Sequence, residues 1–153
     1  GVGAGDGAFS PERAGGVPNG ELVRLCYSGK YTEKEMIKQL VGKAGFNAYC
    51  GSNDARDIEA MAKNGDKHAQ LVFDAFLYQV SKDIGAQAAV LSGKVDQIIL
   101  TGGIAYGKYA TEEITKRVQF IAPVTVYGGE DELLALAQGA LRVLNGEEEA
   151  KVY

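Results

Sequence analysis

The sequence predicts an α/β fold with a largely parallel sheet, and three observations in its second half support this prediction. Residues 95–101 contain the continuous apolar run that is typical of a buried parallel strand, and residues 124–127 form a second predicted strand. Helical patterns precede, separate and follow these strands, which is the order expected of α/β proteins. Each strand ends in a glycine pair, Gly102-Gly103 or Gly128-Gly129, where the backbone can turn sharply.

The first part of the chain predicts short elements. Residues 1–20 are rich in glycine and proline and predict an irregular segment, and residues 20–28 predict a short helix. Thr32 has the position of an N-cap before an amphipathic helix. The glycines of residues 42–45 are expected to end that helix.

The middle of the chain predicts its longest element. Residues 46–51 predict a connector or an edge strand, and Asn53 is expected to cap a helix at about residues 54–64. Apolar residues then recur at helical spacing over about residues 66–92, which predicts one long helix with a core-facing side. We expect His68, in its first turn, to face solvent.

Composition excludes several classes of protein. The 153 residues correspond to about one domain. The net charge of −4, with acidic and basic residues interspersed, argues against a nucleic-acid-binding surface. No apolar run reaches the length of about 20 residues that a membrane span needs, and no signal-peptide pattern is present. We expect Cys26 and Cys50 to be buried free thiols in a cytoplasmic protein.

Four clusters indicate possible chemistry, and each also has a purely structural interpretation. Gly102-Gly103 follows a strand, where α/β proteins bind nucleotides or phosphates, but it also fits a tight turn without a ligand. Residues 6–16 contain Arg13, which can bind a carboxylate or phosphate through two parallel hydrogen bonds or can be a surface charge. Residues 51–57 fit an anion-attracting helix start or an ordinary cap. Residues 130–132 offer carboxylates for Mg²⁺ or simply favour the helix dipole.

Together these clusters resemble, in order and over essentially the whole chain, the C-terminal domain of butyrate kinases in the acetokinase family. The segments that bear the resemblance are DGAFSPERAGG at 6–16, GSNDARDIE at 51–59, LTGGIAY at 100–106 and YGGEDELLAL at 127–136.

The resemblance implies a second domain of ribonuclease-H-like (actin-like ATPase) fold, with a mixed sheet flanked by helices. Residues 1–153 are then the C-terminal nucleotide-binding domain of a two-domain acyl kinase whose N-terminal domain is absent from this chain. The activity implied is reversible, Mg²⁺-dependent phosphoryl transfer between ATP and butyrate, or a similar short-chain carboxylate, giving ADP and an acyl phosphate. The chain alone is expected to be inactive, and the full-length protein is expected to be a cytoplasmic homo-oligomer.

The resemblance also assigns roles to individual residues. It puts Arg13 beside the transferring phosphoryl group, and Asp54 and Arg56 at the adenosine. The second nucleotide loop falls on residues 102–104, that is, Gly102, Gly103 and Ile104, and the magnesium-associated acid falls on Glu132 or its neighbour Asp131.

Two other classes of protein remain as alternatives. One is a non-catalytic nucleotide-binding or assembly module of the same fold, because a fold does not determine a function. The other is a dinucleotide oxidoreductase, which the sequence argues against: residues 102–107 lack the G-x-G-x-x-G pattern, and no acid ends a following strand.

Overall fold

A computed structural model of the chain describes residues 5–129 and 132–150. The helices and strands of these residues follow the order helix, helix, helix, helix, helix, strand, helix, strand, helix. In chain order they are α1 (Asn19–Cys26), α2 (Glu33–Leu40), α3 (Gly45–Cys50), α4 (Ala55–Lys63), α5 (Lys67–Val90), β1 (Ile98–Gly102), α6 (Lys108–Val118), β2 (Val124–Gly128) and α7 (Glu132–Leu144).

The sheet of the described residues has two parallel strands. β1 pairs with β2 in the register Ile98 to Val124 through Gly102 to Gly128, and α6 connects the two strands. The expected mixed sheet is therefore not seen among the described strands. The antiparallel contact at this end is a single bridge between Gly102 and Gly129, just beyond the parallel register. Both strand ends consequently meet at one edge, which is where the two glycine pairs lie.

Helix α5 is the element against which three of the other helices pack. Its 24 residues span about 36 Å at 1.5 Å per residue, and they lie within the segment 66–92 for which the sequence predicted a long helix. α3, α4 and α6 all contact it. The helix ends before Ser92 and Gly93, which both have positive φ angles of 53° and 74°.

A cluster of phenyl rings forms the centre of the core. Phe73 and Phe76 of α5 contact Phe46 of α3, and Phe9 of the N-terminal loop lies edge-on to Phe46 and Phe76 at centroid distances of 5.8 Å. Edge-to-face packing of this kind adds to the stability gained from burying the rings. The cluster therefore joins the N-terminal loop, α3 and α5 into one unit.

Two predictions of local structure were wrong between residues 46 and 57. Residues 46–51 were expected to form a connector or an edge strand, but residues 46–50 belong to helix α3 and Gly51 is its C-cap. The amide of Phe46 donates to the Ser10 carbonyl, and the amide of Asn47 donates to the Pro11 carbonyl, so the N-terminal loop stabilises the first turn of this short helix. The N-cap of α4 is Asp54 rather than Asn53.

The structure also tests the expectations for Thr32, His68 and the two cysteines. Thr32 and Glu35 form a reciprocal capping box at the start of α2, as the N-cap prediction requires. His68 is exposed as expected, and its Nε2 lies 3.0 Å from the Tyr49 carbonyl oxygen. The cysteine prediction was wrong in part, because Cys26 is exposed and Cys50 is only half-buried. Burial raises the pKa of the Cys50 thiol.

Helix α7 has an exposed apolar surface. Five of its leucines are largely exposed, and they are Leu133, Leu134, Leu136, Leu141 and Leu144.

No helix of residues 5–129 and 132–150 is both long enough and apolar enough to cross a bilayer.

We expect Phe46→Ala to lower the free energy of unfolding by about 3–5 kcal/mol, because Phe46 is 0% exposed at the centre of the ring cluster. The matched control is Phe120→Ala, since Phe120 is 82% exposed and should cost within about 0.5 kcal/mol. Urea denaturation followed by circular dichroism measures both. Equal losses in the two variants would contradict the packing described here, and Phe46→Leu supplies a milder variant if Phe46→Ala does not fold.

Candidate functional site

An open cleft with a volume of about 740 Å³ lies between the start of α4 and the turn that follows β1. Residues from four separate parts of the sequence form its walls. They are Pro11, Asn53, Asp54, Ala55, Arg56, Glu59, Phe73, Gly103, Ile104, Tyr106 and Gly107.

The α4 side of the cleft is built by a network of short polar contacts. The Ser52 hydroxyl donates to Asp57 Oδ2 (2.6 Å) and accepts from the Asp54 amide (3.1 Å). The Asp54 carboxylate in turn accepts from the Arg56 amide (2.9 Å), as an N-cap does. Asn53 points away from this cap, because its side chain donates to Glu12 Oε1 (2.7 Å). These contacts hold Asp54 and Arg56 at the mouth of the cleft.

Asp54 and Arg56 also form an ion pair. Arg56 Nε donates to both carboxylate oxygens of Asp54 at 3.0 Å, and its terminal nitrogen donates to Oδ2. The hydrogen bonds from the Arg56 side chain, followed by the one from its amide, lower the pKa of Asp54 to about 2. The Arg56 side chain is 88% exposed, so its planar guanidinium remains accessible from the cleft.

The opposite wall of the cleft is formed at the glycine pair that ends β1. Gly102 has a φ of 92°, which favours glycine, and Gly103–Tyr106 form a 3₁₀ turn. The amide of Gly102 donates to the Gly129 carbonyl and the amide of Gly129 donates to the Gly102 carbonyl, both at 3.3 Å. The two glycine pairs are thereby bonded to each other at the strand ends. Gly103 and Ile104 line the cleft, whereas Gly102, which precedes them in the chain, is not among the lining residues.

The N-terminal loop that contains Arg13 reaches the rim of the same cleft. Pro11 lines the cleft, and Arg13 follows two residues later, so their Cα atoms are at most about 7 Å apart. Arg13 is exposed, forms a backbone bridge with Val41, and is not among the lining residues. The segment that follows α2 holds this loop in place, because the Glu12 carbonyl accepts hydrogen bonds from the amides of Gly42 (2.8 Å) and Ala44 (3.3 Å).

Two lining residues were missed by the sequence analysis. Tyr106 ends the 3₁₀ turn with its ring beside Gly128 and Gly129. Glu59 lies one turn into α4, is 16% exposed and pairs with Lys63 at 2.9 Å. For Tyr106 the available signal was an aromatic residue three positions after a strand-end glycine pair. For Glu59 it was the helical spacing from Arg56.

The predicted metal ligands are not tested by the structure. Asp131 lies outside the described residues, and Glu132 is described only as the first residue of α7. Within residues 5–129 and 132–150, no group of three or more histidine, cysteine, aspartate or glutamate residues could hold a metal ion. What the structure does bring together is Asp54, Arg56, Gly103 and Ile104, in one cleft.

We expect Arg56→Gln to raise the pKa of Asp54 from about 2 towards 3.8, because the side-chain hydrogen bonds from Arg56 are the largest cause of the depression. A depressed carboxyl pKa stabilises the fold above the unfolded pKa, and this contribution is lost as the pH falls through about 2. The variant should therefore lose less stability between pH 4 and 2. NMR titration of the Asp54 carboxyl carbon measures the pKa directly.

The control is Arg24→Gln, which removes an exposed ion pair on α1. An unchanged Asp54 titration in Arg56→Gln would contradict the assignment of Arg56 as the cause of the depressed pKa.

Comparison with known proteins identifies relatives over nearly the whole chain. The model of the acetokinase family matches residues 5–149. The chain is 62% identical to butyrate kinase 2 of Clostridium acetobutylicum over 149 residues, and 57% identical to a probable butyrate kinase of Clostridium botulinum over the same number. Each alignment covers 97% of this chain and 42% of the relative. The chain therefore spans about two fifths of the length of these relatives.

Solved structures agree with these matches. The crystal structure of Porphyromonas gingivalis acetate kinase superposes with a TM-score of 0.80 at 25% identity, over 91% of this chain and 41% of that protein. For the acetate kinase of Entamoeba histolytica the TM-score is 0.76 at 19% identity, over 90% of this chain and 43% of that protein, which is evidence for the fold alone. On the family match and the sequence identities together, this chain belongs to the acetokinase family.

Proposed function

We propose that this chain is part of an ATP-dependent carboxylate kinase that reversibly phosphorylates butyrate or a similar short-chain acid. The observation that supports this most directly is the cleft in which Asp54, Arg56, Gly103 and Ile104 meet, in a chain that is 62% identical to a butyrate kinase. These residues come from segments almost fifty positions apart in the sequence, and a nucleotide is the kind of ligand that the ends of parallel strands bind.

The residues of the cleft suit the adenosine half of ATP. The Asp54 carboxylate can accept a hydrogen bond from a ribose hydroxyl or from the adenine amine, since each carboxylate oxygen has more than one acceptor position. The exposed guanidinium of Arg56 can lie against a base. Gly102, Gly103 and Ile104 allow the nucleotide to approach the backbone, because two of these residues lack a side chain.

Arg13 is proposed as the residue that acts on the transferring group. In the reaction, a carboxylate oxygen of the acid forms a bond to the γ-phosphorus while the bond between that phosphorus and the bridging oxygen of ADP breaks. Charge on the equatorial oxygens must be balanced during this transfer. Arg13 lies two residues from Pro11, which lines the cleft, on a loop that the backbone of residues 42–47 holds in place.

Glu132, or its neighbour Asp131, is proposed as the acid that holds Mg²⁺. The support is positional: both follow the Gly128-Gly129 pair, whose backbone is hydrogen-bonded to the Gly102 turn. Carboxylate oxygens are ligands that Mg²⁺ prefers, and the bound ion would neutralise phosphate charge.

The domain organisation is part of the same proposal. We take residues 1–153 as the C-terminal nucleotide-binding domain of a two-domain kinase, on the order of the four motifs. The chain covers 42% of butyrate kinase 2 of Clostridium acetobutylicum, which leaves room for a second domain. A second domain would then supply the remaining groups around the acid, so the chain alone should lack activity. A homo-oligomeric, cytoplasmic enzyme fits the same proposal, with the exposed leucines of α7 as apolar surface available for association.

The test is a hydroxamate assay for acyl phosphate on the full-length protein that contains this chain. We expect butyrate, ATP and Mg²⁺ to give acyl phosphate, and the chain alone to give none. If no short-chain carboxylate yields acyl phosphate with the full-length protein, the alternative of a non-catalytic nucleotide-binding module is favoured. Activity of the isolated chain would contradict the two-domain proposal and leave the kinase proposal in place.

We expect Arg13→Ala in the full-length enzyme to lower kcat on the order of 10²-fold or more, with little change in the KM for ATP, because its charge matters most in the transition state. Steady-state kinetics with saturating butyrate measure both constants. Arg24→Ala is the matched control, since Arg24 is an exposed arginine on α1 that pairs with Glu21. Near-normal turnover of Arg13→Ala would show that Arg13 has only a structural role.

A further inference from the structure

Tyr106 is the accessible aromatic ring of the cleft. Among the lining residues that the structure describes, Phe73 also has an aromatic ring, but it is buried in the core. Tyr106 is 73% exposed. A large ring left in water inside a concave site has apolar surface available for a ligand.

The second glycine pair holds this ring in place. A methyl group at Gly128 would stand 3.0 Å from Cδ1 of Tyr106, and one at Gly129 would stand 2.4 Å from its hydroxyl oxygen. Any side chain at either position would therefore push against the ring. The absence of side chains lets the ring lie close to the backbone at the end of β2, which supports it from one side.

The backbone beneath the ring is itself fixed to the turn that carries Tyr106. Gly102 pairs with Gly128 in the parallel register and exchanges two hydrogen bonds with Gly129. Gly103–Tyr106 form one 3₁₀ turn, so the ring belongs to the same short unit as the Gly103 and Ile104 walls of the cleft. A ligand that contacts these backbone walls has the ring beside it.

We propose that Tyr106 binds the nucleobase of the bound nucleotide by packing its ring against the base. This proposal rests on the proposed function, and it assigns a base-binding role to a residue outside the nucleotide and phosphate positions argued above. An aromatic face stacks on any base, since every base has a planar π-surface. Arg56 offers a second planar group in the same cleft. The phenolic hydroxyl is not needed for stacking, because it lies at the Gly129 backbone.

The experiment compares two ligands by isothermal titration calorimetry on the full-length enzyme. ATP has a base, and inorganic tripolyphosphate has only the phosphates. We expect Tyr106→Leu to weaken ATP binding about tenfold or more and to leave tripolyphosphate binding unchanged. Tyr106→Phe should bind ATP like the wild type. Tyr78→Leu, which changes an exposed tyrosine of α5 outside the cleft, is the matched control.

A second variant tests the support of the ring without changing Tyr106. Gly128→Ala adds a methyl group against the ring, so we expect it to weaken ATP binding and to spare tripolyphosphate as well. It also keeps the test available if Tyr106→Leu does not fold.

Three results would overturn the proposal. ATP binding by Tyr106→Leu at wild-type strength, or an equal loss of ATP and tripolyphosphate binding, would overturn the base-binding role alone. A wild-type enzyme that binds no ATP would overturn this proposal together with the proposed function.

Discussion

The burial of phenyl rings against helix α5 is the interaction on which the rest of this structure depends. Phe46 brings α3 onto the helix, and Phe9 brings the N-terminal loop onto both. The polar contacts then follow: the Phe9 amide donates to Gln79 Oε1 and the Ala8 amide to Asp83 Oδ2, both on α5. Hydrophobic burial provides the driving force, and the directional hydrogen bonds fix the position. The loop that leads to Arg13 is thus positioned by ring packing and by hydrogen bonds to α5.

Elements with a clear period were predictable from the sequence, and short elements stabilised by distant residues were not. The apolar spacing of α5 extends over many turns, so local sequence is sufficient to indicate a helix there. α3 has six residues, which is too short for a period to be recognised, and its first turn depends on carbonyl groups of Ser10 and Pro11. Nothing within residues 46–51 specifies that contact, since it joins segments more than thirty positions apart.

The candidate site, like the fold, was predictable from the sequence only in part. That the glycine pair after the first strand borders a cleft follows from the rule that ligands bind at the carboxyl ends of strands. The Asp54 segment follows helix α3 rather than a strand, so its place in the same cleft required the three-dimensional structure. The choice of Asp54 over Asn53 as the cap does not follow from propensity, because both residue types cap helices well. It is decided by partners, as Asn53 bonds to Glu12 and Asp54 bonds to Arg56. The position of Tyr106 required the three-dimensional structure, since it depends on a glycine pair more than twenty residues downstream.

The charges of the cleft decide which part of a nucleotide it suits. Asp54 and Arg56 largely neutralise each other, and Glu59 is neutralised by Lys63, so the walls offer little net positive charge. A triphosphate needs cations, backbone amides or a metal ion, and an adenosine needs planar surfaces with a few acceptors. The cleft has the second set, in Tyr106, Arg56 and Asp54. Under the proposed function, the phosphates would therefore extend out of the cleft, towards groups outside it such as Arg13, which lies two residues from Pro11. The segments that line the cleft would then bind the neutral half of the nucleotide, and residues outside it would balance the charge of the phosphates.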